Sequence, residues 1–192
     1  FPKPHSRCEY AGCRCRDPLV PSQRLDHKKT QWAYAFNRNQ ALIRSFDNFH
    51  LDVLFVGDSI TERWLGTQMG TSGYTEQVAK SLNATREVFT DTFTDRGTSA
   101  YALGIAGDRI PYLLYRLENG ELPSALNVST IVLLIGTNDI GIDGCNVDSV
   151  TAGNIAVIDR LLQIPSVERV MINSLLPRGD KTITDRGWEM HK

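Results

Sequence analysis

The stretch that decides the fold is Val53-Leu54-Phe55-Val56-Gly57-Asp58-Ser59-Ile60. Its four consecutive apolar residues end in glycine and lack the alternation of a half-solvated strand. A strand buried on both faces has this pattern, and such strands belong to parallel sheets covered by helices. Ile131-Val132-Leu133-Leu134-Ile135 repeats it and runs into Gly136-Thr137-Asn138-Asp139. Residues 101–105 form a further candidate strand, and Val170-Met171-Ile172-Asn173-Ser174-Leu175 another. Between these runs the period changes. Trp32, Ala35, Phe36, Asn39, Leu42, Ile43 and Phe46 recur at helical spacing, as an amphipathic helix requires. Residues 61–95 read as partly helical. Asp108 is expected to cap a helix over 109–117 with Pro111 in its first turn. Val147, Val150, Ile155, Ile158, Leu161 and Leu162 mark one more helix. Strands alternating with helices predict βαβ units, hence an α/β fold: a three-layer α/β/α sandwich around a mostly parallel sheet.

The chain has 192 residues, 41% hydrophobic and 22% charged, with a formal net charge of -1. That suits one domain with a real core. It gives no electrostatic footprint for nucleic acid, and no apolar run approaches the ~18 residues of a transmembrane segment. The first residue is Phe1 rather than Met, so the chain is expected to have been cut or processed. Residues 1–28 are proline-rich and irregular. They carry Cys8, Cys13 and Cys15, and Cys145 is the remaining cysteine. Disulfides, a zinc site completed by His5 or His27, and free thiols are all compatible with this spacing. Two sequons, at Asn83 and Asn127, lean with the cysteines towards a secretory or extracellular protein.

Ligands of open α/β sheets bind beyond the carboxyl ends of the strands. Three such ends carry polar or glycine-rich signatures: Gly57-Asp58-Ser59-Ile60, Gly104-Ile105-Ala106-Gly107-Asp108 and Gly136-Thr137-Asn138-Asp139. Adjacent strands would bring Ser59, Gly107 and Asn138 together. The trio suits acyl transfer. Ser59 presents a hydroxyl to a carbonyl carbon, and the backbone N–H groups of Ser59 and Gly107 with the Asn138 amide face the oxyanion. Glycine at 107 is expected to let the backbone approach the substrate. Taken singly, each residue has a plainer reading: Ser59 as a helix cap, Asn138 and Gly107 as turn residues. Asp58 reads as structural. Arg178, just past the fourth strand, reads as a rim residue or a surface ion pair. A phosphate-binding P-loop is excluded because no Gly-Lys-Ser/Thr occurs, while a flavodoxin-like phosphate binder stays open on fold alone.

With these residues in place, the chain resembles the SGNH (GDSL-like) hydrolases. Phe55-Val56-Gly57-Asp58-Ser59-Ile60-Thr61 resembles their first block, Gly107 falls where the second-block glycine belongs, and Gly136-Thr137-Asn138-Asp139 resembles the third. Gly107-Asp108, Arg116-Leu117-Glu118-Asn119-Gly120-Glu121-Leu122 and Leu175-Leu176-Pro177-Arg178-Gly179 are similar to the subgroup of platelet-activating-factor acetylhydrolase catalytic subunits. The resemblance runs over residues 52–180. It implies the SGNH variant of the flavodoxin-like fold in a domain spanning 29–192, and a serine esterase that removes a small acyl group, acetyl, from a carbohydrate or lipid. Small-molecule esters are the implied partners, with no metal or organic cofactor. The family's Asp-x-x-His, which supplies the base and belongs beyond the Leu-Pro-Arg-Gly string, has no counterpart after Gly179. The only late histidine is His191, near Asp185 and Glu189. A last strand and helix are also expected to be missing, so the domain reads as truncated and inactive by itself. A catalytically dead binding module and a non-functional fragment are the alternatives.

Overall fold

The computed structural model describes residues 7–8, 13–46, 49–73 and 75–177. Four parallel strands form one sheet in the order β2-β1-β3-β4. They are β1 (Leu51–Gly57), β2 (Ala100–Gly104), β3 (Val128–Leu134) and β4 (Arg169–Ile172). Among the described residues six α-helices accompany them: α1 (Lys29–Arg44), the short α2 (Ser59–Glu62), α3 (Glu76–Thr92), α4 (Ile110–Glu118), the short α5 (Thr137–Gly141) and α6 (Val147–Leu161). The expected α/β architecture is present.

Strand β1 shows why the layers form. Leu54 and Val56 point into a core shared with Ile43 of α1, Leu113 of α4 and Val157 of α6. Phe55 points the other way, edge-on to Phe89 of α3 with ring centroids 5.6 Å apart. The uninterrupted apolar run therefore meets helices on both faces of the sheet. Helix α1 turns Trp32, Ala35, Phe36, Asn39 and Ile43 inward, and Trp32 stacks on Phe36 at 5.4 Å.

Three boundaries differ from the sequence reading. Strand β2 lies one residue earlier than 101–105. Strand β4 stops at Ile172, short of Leu175, and both Met171 and Ile172 are exposed. The residue flanking α4 is Arg109, and Asp108 does not cap it. The Asp108 carboxylate instead accepts from the Trp32 indole at 2.6 Å and from Arg116 at 2.5 Å. Tertiary partners have outbid the local backbone for this side chain. Pro111 does occupy the first turn.

The cysteines are paired, Cys8 with Cys13 and Cys15 with Cys145. That pairing removes the zinc alternative. It also ties the segment before α1 to the loop between α5 and α6. Along the way Arg14 donates its N–H to the Asp143 carbonyl at 2.8 Å, and Ser22 to the Pro111 carbonyl at 3.0 Å. The irregular segment is thus a strap held against the C-terminal rim of the sheet. No described helix is long and apolar enough to cross a membrane.

Candidate active site

From β1 the chain moves to β2 on one side, then crosses over to β3 on the other. The carboxyl ends of these strands flank a topological switch point, where open α/β sheets place their ligands. Ser59 is the first residue of α2, directly after β1, and is half-buried. Asp58 is completely buried, and its Oδ1 accepts from the Ile60 N–H at 2.9 Å. It caps the turn on which Ser59 sits, the structural role read from the sequence.

Two glycines allow this turn to lie on the sheet. A Cβ on Gly57 would stand 2.2 Å from the Leu134 carbonyl oxygen, and one on Gly104 would stand 2.3 Å from that of Asp58. Neither position has room for a side chain.

Gly107 sits in a turn closed by the Asp108 N–H donating to the Ile105 carbonyl at 3.1 Å. Its φ is +79°, the signature of a type II turn. The side of Gly107 that a Cβ would occupy is not open to a substrate. Arg24 fills it, with Nη1 2.8 Å from the ideal Cβ position. The glycine is needed for the backbone conformation and for the room that Arg24 takes on its Cβ side.

Asn138, in α5 beyond β3, is buried. Its Nδ2 donates to the Asp108 main-chain oxygen at 2.8 Å and lies 3.5 Å from Asp58 Oδ2. Through these contacts the segments carrying Ser59, Gly107 and Asn138 meet. The Asp108 bond occupies one amide hydrogen. The other faces Asp58 only loosely, at the limit of hydrogen-bond length.

Beneath this rim lies a buried charge network that the sequence reading did not identify. Arg116 is fully buried. It donates to the Gly57 carbonyl at 3.1 Å, the Leu103 carbonyl at 3.2 Å, Asp108 at 2.5 Å and Glu121 Oε2 at 2.7 Å. A second bond reaches Glu121 Oε1. One guanidinium thus ties the ends of β1 and β2 to the loop that carries Gly107. Burial works against the Arg116 charge, but Glu121 and Asp108 more than offset it and raise its pKa. Burial pushes Asp108 up to about 7 despite the neighbouring guanidinium. Asp139, whose oxygens accept from the Ile110 N–H at 3.1 and 3.2 Å, is likewise pushed to about 7 by burial.

Glu62, also buried, accepts from the Ala106 N–H at 2.7 Å, the Gly70 N–H at 2.7 Å and the Thr67 hydroxyl at 3.2 Å. It braces the Gly107 turn from the side of α2. In sequence, Glu62 and Arg116 look like ordinary charged residues on helices. The strings quoted around Arg116 were the one available signal.

Histidine is absent from this neighbourhood among the hydrogen bonds of the described residues. His50 bonds Asn127 and Ser129 at 3.0 and 3.1 Å, at the opposite end of β1. At about 3.3 Å of rise per residue that end is roughly 20 Å from Ser59. His191 and Arg178 lie outside the described residues. No group of three or more metal-ligating side chains occurs among the described residues. An apolar groove of about 610 Å³ opens beside β4, lined by Ile135, Ile140, Val150, Asn154, Ile172 and Leu175 among others. It is adjacent to the rim, and Ser59, Gly107 and Asn138 are not part of its wall.

Sheet order and rim together define an α/β domain with a serine turn at its switch point. Residues 55–191 match the model of the GDSL-like lipase/acylhydrolase family, and the chain belongs to that family. The match reaches beyond the motif resemblance, which ended near Asp180. Platelet-activating factor acetylhydrolase IB subunit alpha2 of Gallus gallus is 33% identical over 131 residues, covering 68% of this chain and 46% of that protein. The Homo sapiens subunit is 31% identical over the same shares. The chain thus spans less than half the length of these relatives. A solved Streptococcus pneumoniae structure named for platelet activating factor aligns with a TM-score of 0.51 at 23% identity. It covers 82% of this chain and 62% of that one, which supports the shared fold.

Proposed function

We propose that this protein hydrolyses a small acyl ester, acetyl on a lipid or carbohydrate, through an acyl-enzyme formed on Ser59. The observation that carries the reading is the meeting of the Ser59, Gly107 and Asn138 segments at the carboxyl ends of β1, β2 and β3, linked by the Asn138–Asp108 bond of 2.8 Å. Ser59 Oγ attacks the ester carbonyl carbon as a base takes its proton. The oxyanion collects hydrogen bonds from the N–H groups of Ser59 and Gly107 and from the loosely held amide hydrogen of Asn138. Collapse breaks the bond to the alcohol oxygen, which leaves with the proton. Water then repeats the sequence on the acyl-enzyme and frees the acid and Ser59. Acetyl is favoured because the relatives are named acetylhydrolases. The base is a histidine outside the described residues.

The test is labelling by a fluorophosphonate, which reacts with activated serines. Wild-type protein carrying its base should label at Ser59, and Ser59→Ala should not label. Labelling undiminished in Ser59→Ala removes the assignment. The second reading, a binding module on the same fold, is favoured by one observation: no described histidine hydrogen-bonds Ser59. An intact, folded protein that neither labels nor turns over any ester would establish it.

A further inference from the structure

The strap before α1 ends in a side chain that reaches the rim. Arg24 is 7% exposed although it lies in an irregular segment. Its Nη1 donates to the Ala106 carbonyl oxygen at 3.0 Å, and its Nε donates to Asp26 at 2.9 and 3.0 Å. The Ala106 carbonyl and the Gly107 N–H belong to one peptide unit. In a trans peptide the two point in opposite directions, and there are no cis peptides in the described chain. A cation fixed on the oxygen therefore sets the direction of the N–H and draws electron density away from it. Hydrogen bonds polarise one another in this way, and charge-assisted bonds do so most. The same stretch is gripped from its other side, where Glu62 accepts the Ala106 N–H at 2.7 Å. Among the described residues the Gly107 N–H itself donates to no protein group.

We infer that Arg24 is a positioning residue for catalysis: by bonding the Ala106 carbonyl it orients and strengthens the Gly107 N–H as an oxyanion donor. The inference rests on the esterase reading given above. It assigns the strap a role in the chemistry. Arg24 is placed by Ser22, anchored on the Pro111 carbonyl at 3.0 Å, and by Cys15, bonded to Cys145. The Asp26 carboxylate, held down to about 2 chiefly by its hydrogen bond from Arg24, remains charged at neutral pH and keeps the guanidinium in register. Gly107 completes the arrangement, because a Cβ there would collide with Nη1 at 2.8 Å.

The experiment compares Arg24→Ala, Arg24→Lys and wild type in the full chain with its general base, using p-nitrophenyl acetate. Losing an oxyanion donor outright costs about 10²–10³ in kcat. An N–H merely disoriented should cost less, so Arg24→Ala should lower kcat about 10- to 100-fold with KM nearly unchanged. Arg24→Lys should recover part of the loss, and millimolar guanidinium should partly rescue Arg24→Ala but not Ser59→Ala. The Gly107 amide resonance should move in Arg24→Ala and largely return in Arg24→Lys, a readout that does not depend on turnover. Three results overturn the inference: kcat of Arg24→Ala within threefold of wild type while Ser59→Ala is dead, an unmoved Gly107 amide, or a loss that follows only the thermal stability of the variants. Turnover that survives Ser59→Ala would instead overturn the esterase reading, and this inference with it.

Discussion

Asn138 Nδ2 donates to the main-chain oxygen of Asp108 at 2.8 Å, so a side chain beyond β3 bonds the backbone beyond β2, across the end of β1. One amide hydrogen holds the loop, and the other lies 3.5 Å from Asp58 Oδ2, loosely enough for the proposed mechanism to turn it to the oxyanion. Asn138→Ala should therefore lower kcat by about 10²–10³ with KM changed much less, since the bond matters most in the transition state. Steady-state kinetics on a chromogenic acetate checks this. A variant within threefold of wild type would take Asn138 out of the mechanism.

Arg116 should prove indispensable to the fold. Replacing it by methionine keeps volume but leaves Asp108 and Glu121 buried without their common partner. Removing one member of a buried ion network costs about 3–5 kcal/mol. Arg116→Lys should recover little, because an ammonium cannot reach two carboxylates and two carbonyls from one position. Urea denaturation of both variants tests this, and a loss under 1 kcal/mol would show that the network relaxes around the gap.

The strands were legible because their information is local. The runs Val53-Leu54-Phe55-Val56 and Ile131-Val132-Leu133-Leu134-Ile135 are apolar on both faces, which only a covered parallel sheet satisfies. Strand β4 was read too long because Ile172 and Leu175 look buried by composition, yet Ile172 is exposed. The candidate rim was legible as three polar strand ends. Arg24, Glu62 and Arg116 were not, because a buried charge is written with the same letter as a solvated one. Its burial depends on partners far off in sequence: Arg24 lies 82 residues from Ala106. Asp108 was misread as a cap for the same reason. A capping carboxylate and one claimed by a distant indole occupy identical sequence positions.

Stability should fall as pH rises towards neutrality. Burial lifts Asp139 from 3.8 to about 7 in the folded chain, and Asp108 moves in the same direction. Between these values the folded state holds protons that the unfolded state has released. The contribution is full below about pH 4 and is lost as pH rises through about 7. Asp139→Asn removes one titration, so its stability should change less between pH 5 and pH 8, by on the order of a few kcal/mol. Urea midpoints at the two pH values decide it, and parallel curves for variant and wild type would refute the assignment.

Hydrolysis of p-nitrophenyl acetate by residues 1–192 and by their Ser59→Ala variant tests where the base lies: with no base in this stretch the two should turn over alike. Among the described residues no hydrogen bond joins a histidine to Ser59, and a serine without its base is a poor nucleophile. In subtilisin, losing the base alone costs about 10⁶ in kcat. Robust Ser59-dependent hydrolysis by residues 1–192 would make His191 the first residue to mutate.

The Cys15–Cys145 bond spans a sequence separation of 130 and encloses β1, β2 and β3 in a covalent ring. Tension applied between the two ends of the chain runs through that bond and bypasses the central strands. Pulled in an optical trap, the oxidised protein should extend only through segments outside the ring, with the sheet centre shielded from load. Reductant should expose the enclosed length, roughly 430–470 Å at about 3.3–3.6 Å per residue. The strap is thus a mechanical shunt, and the part of the sheet that leads into Ser59 is the part that carries no force.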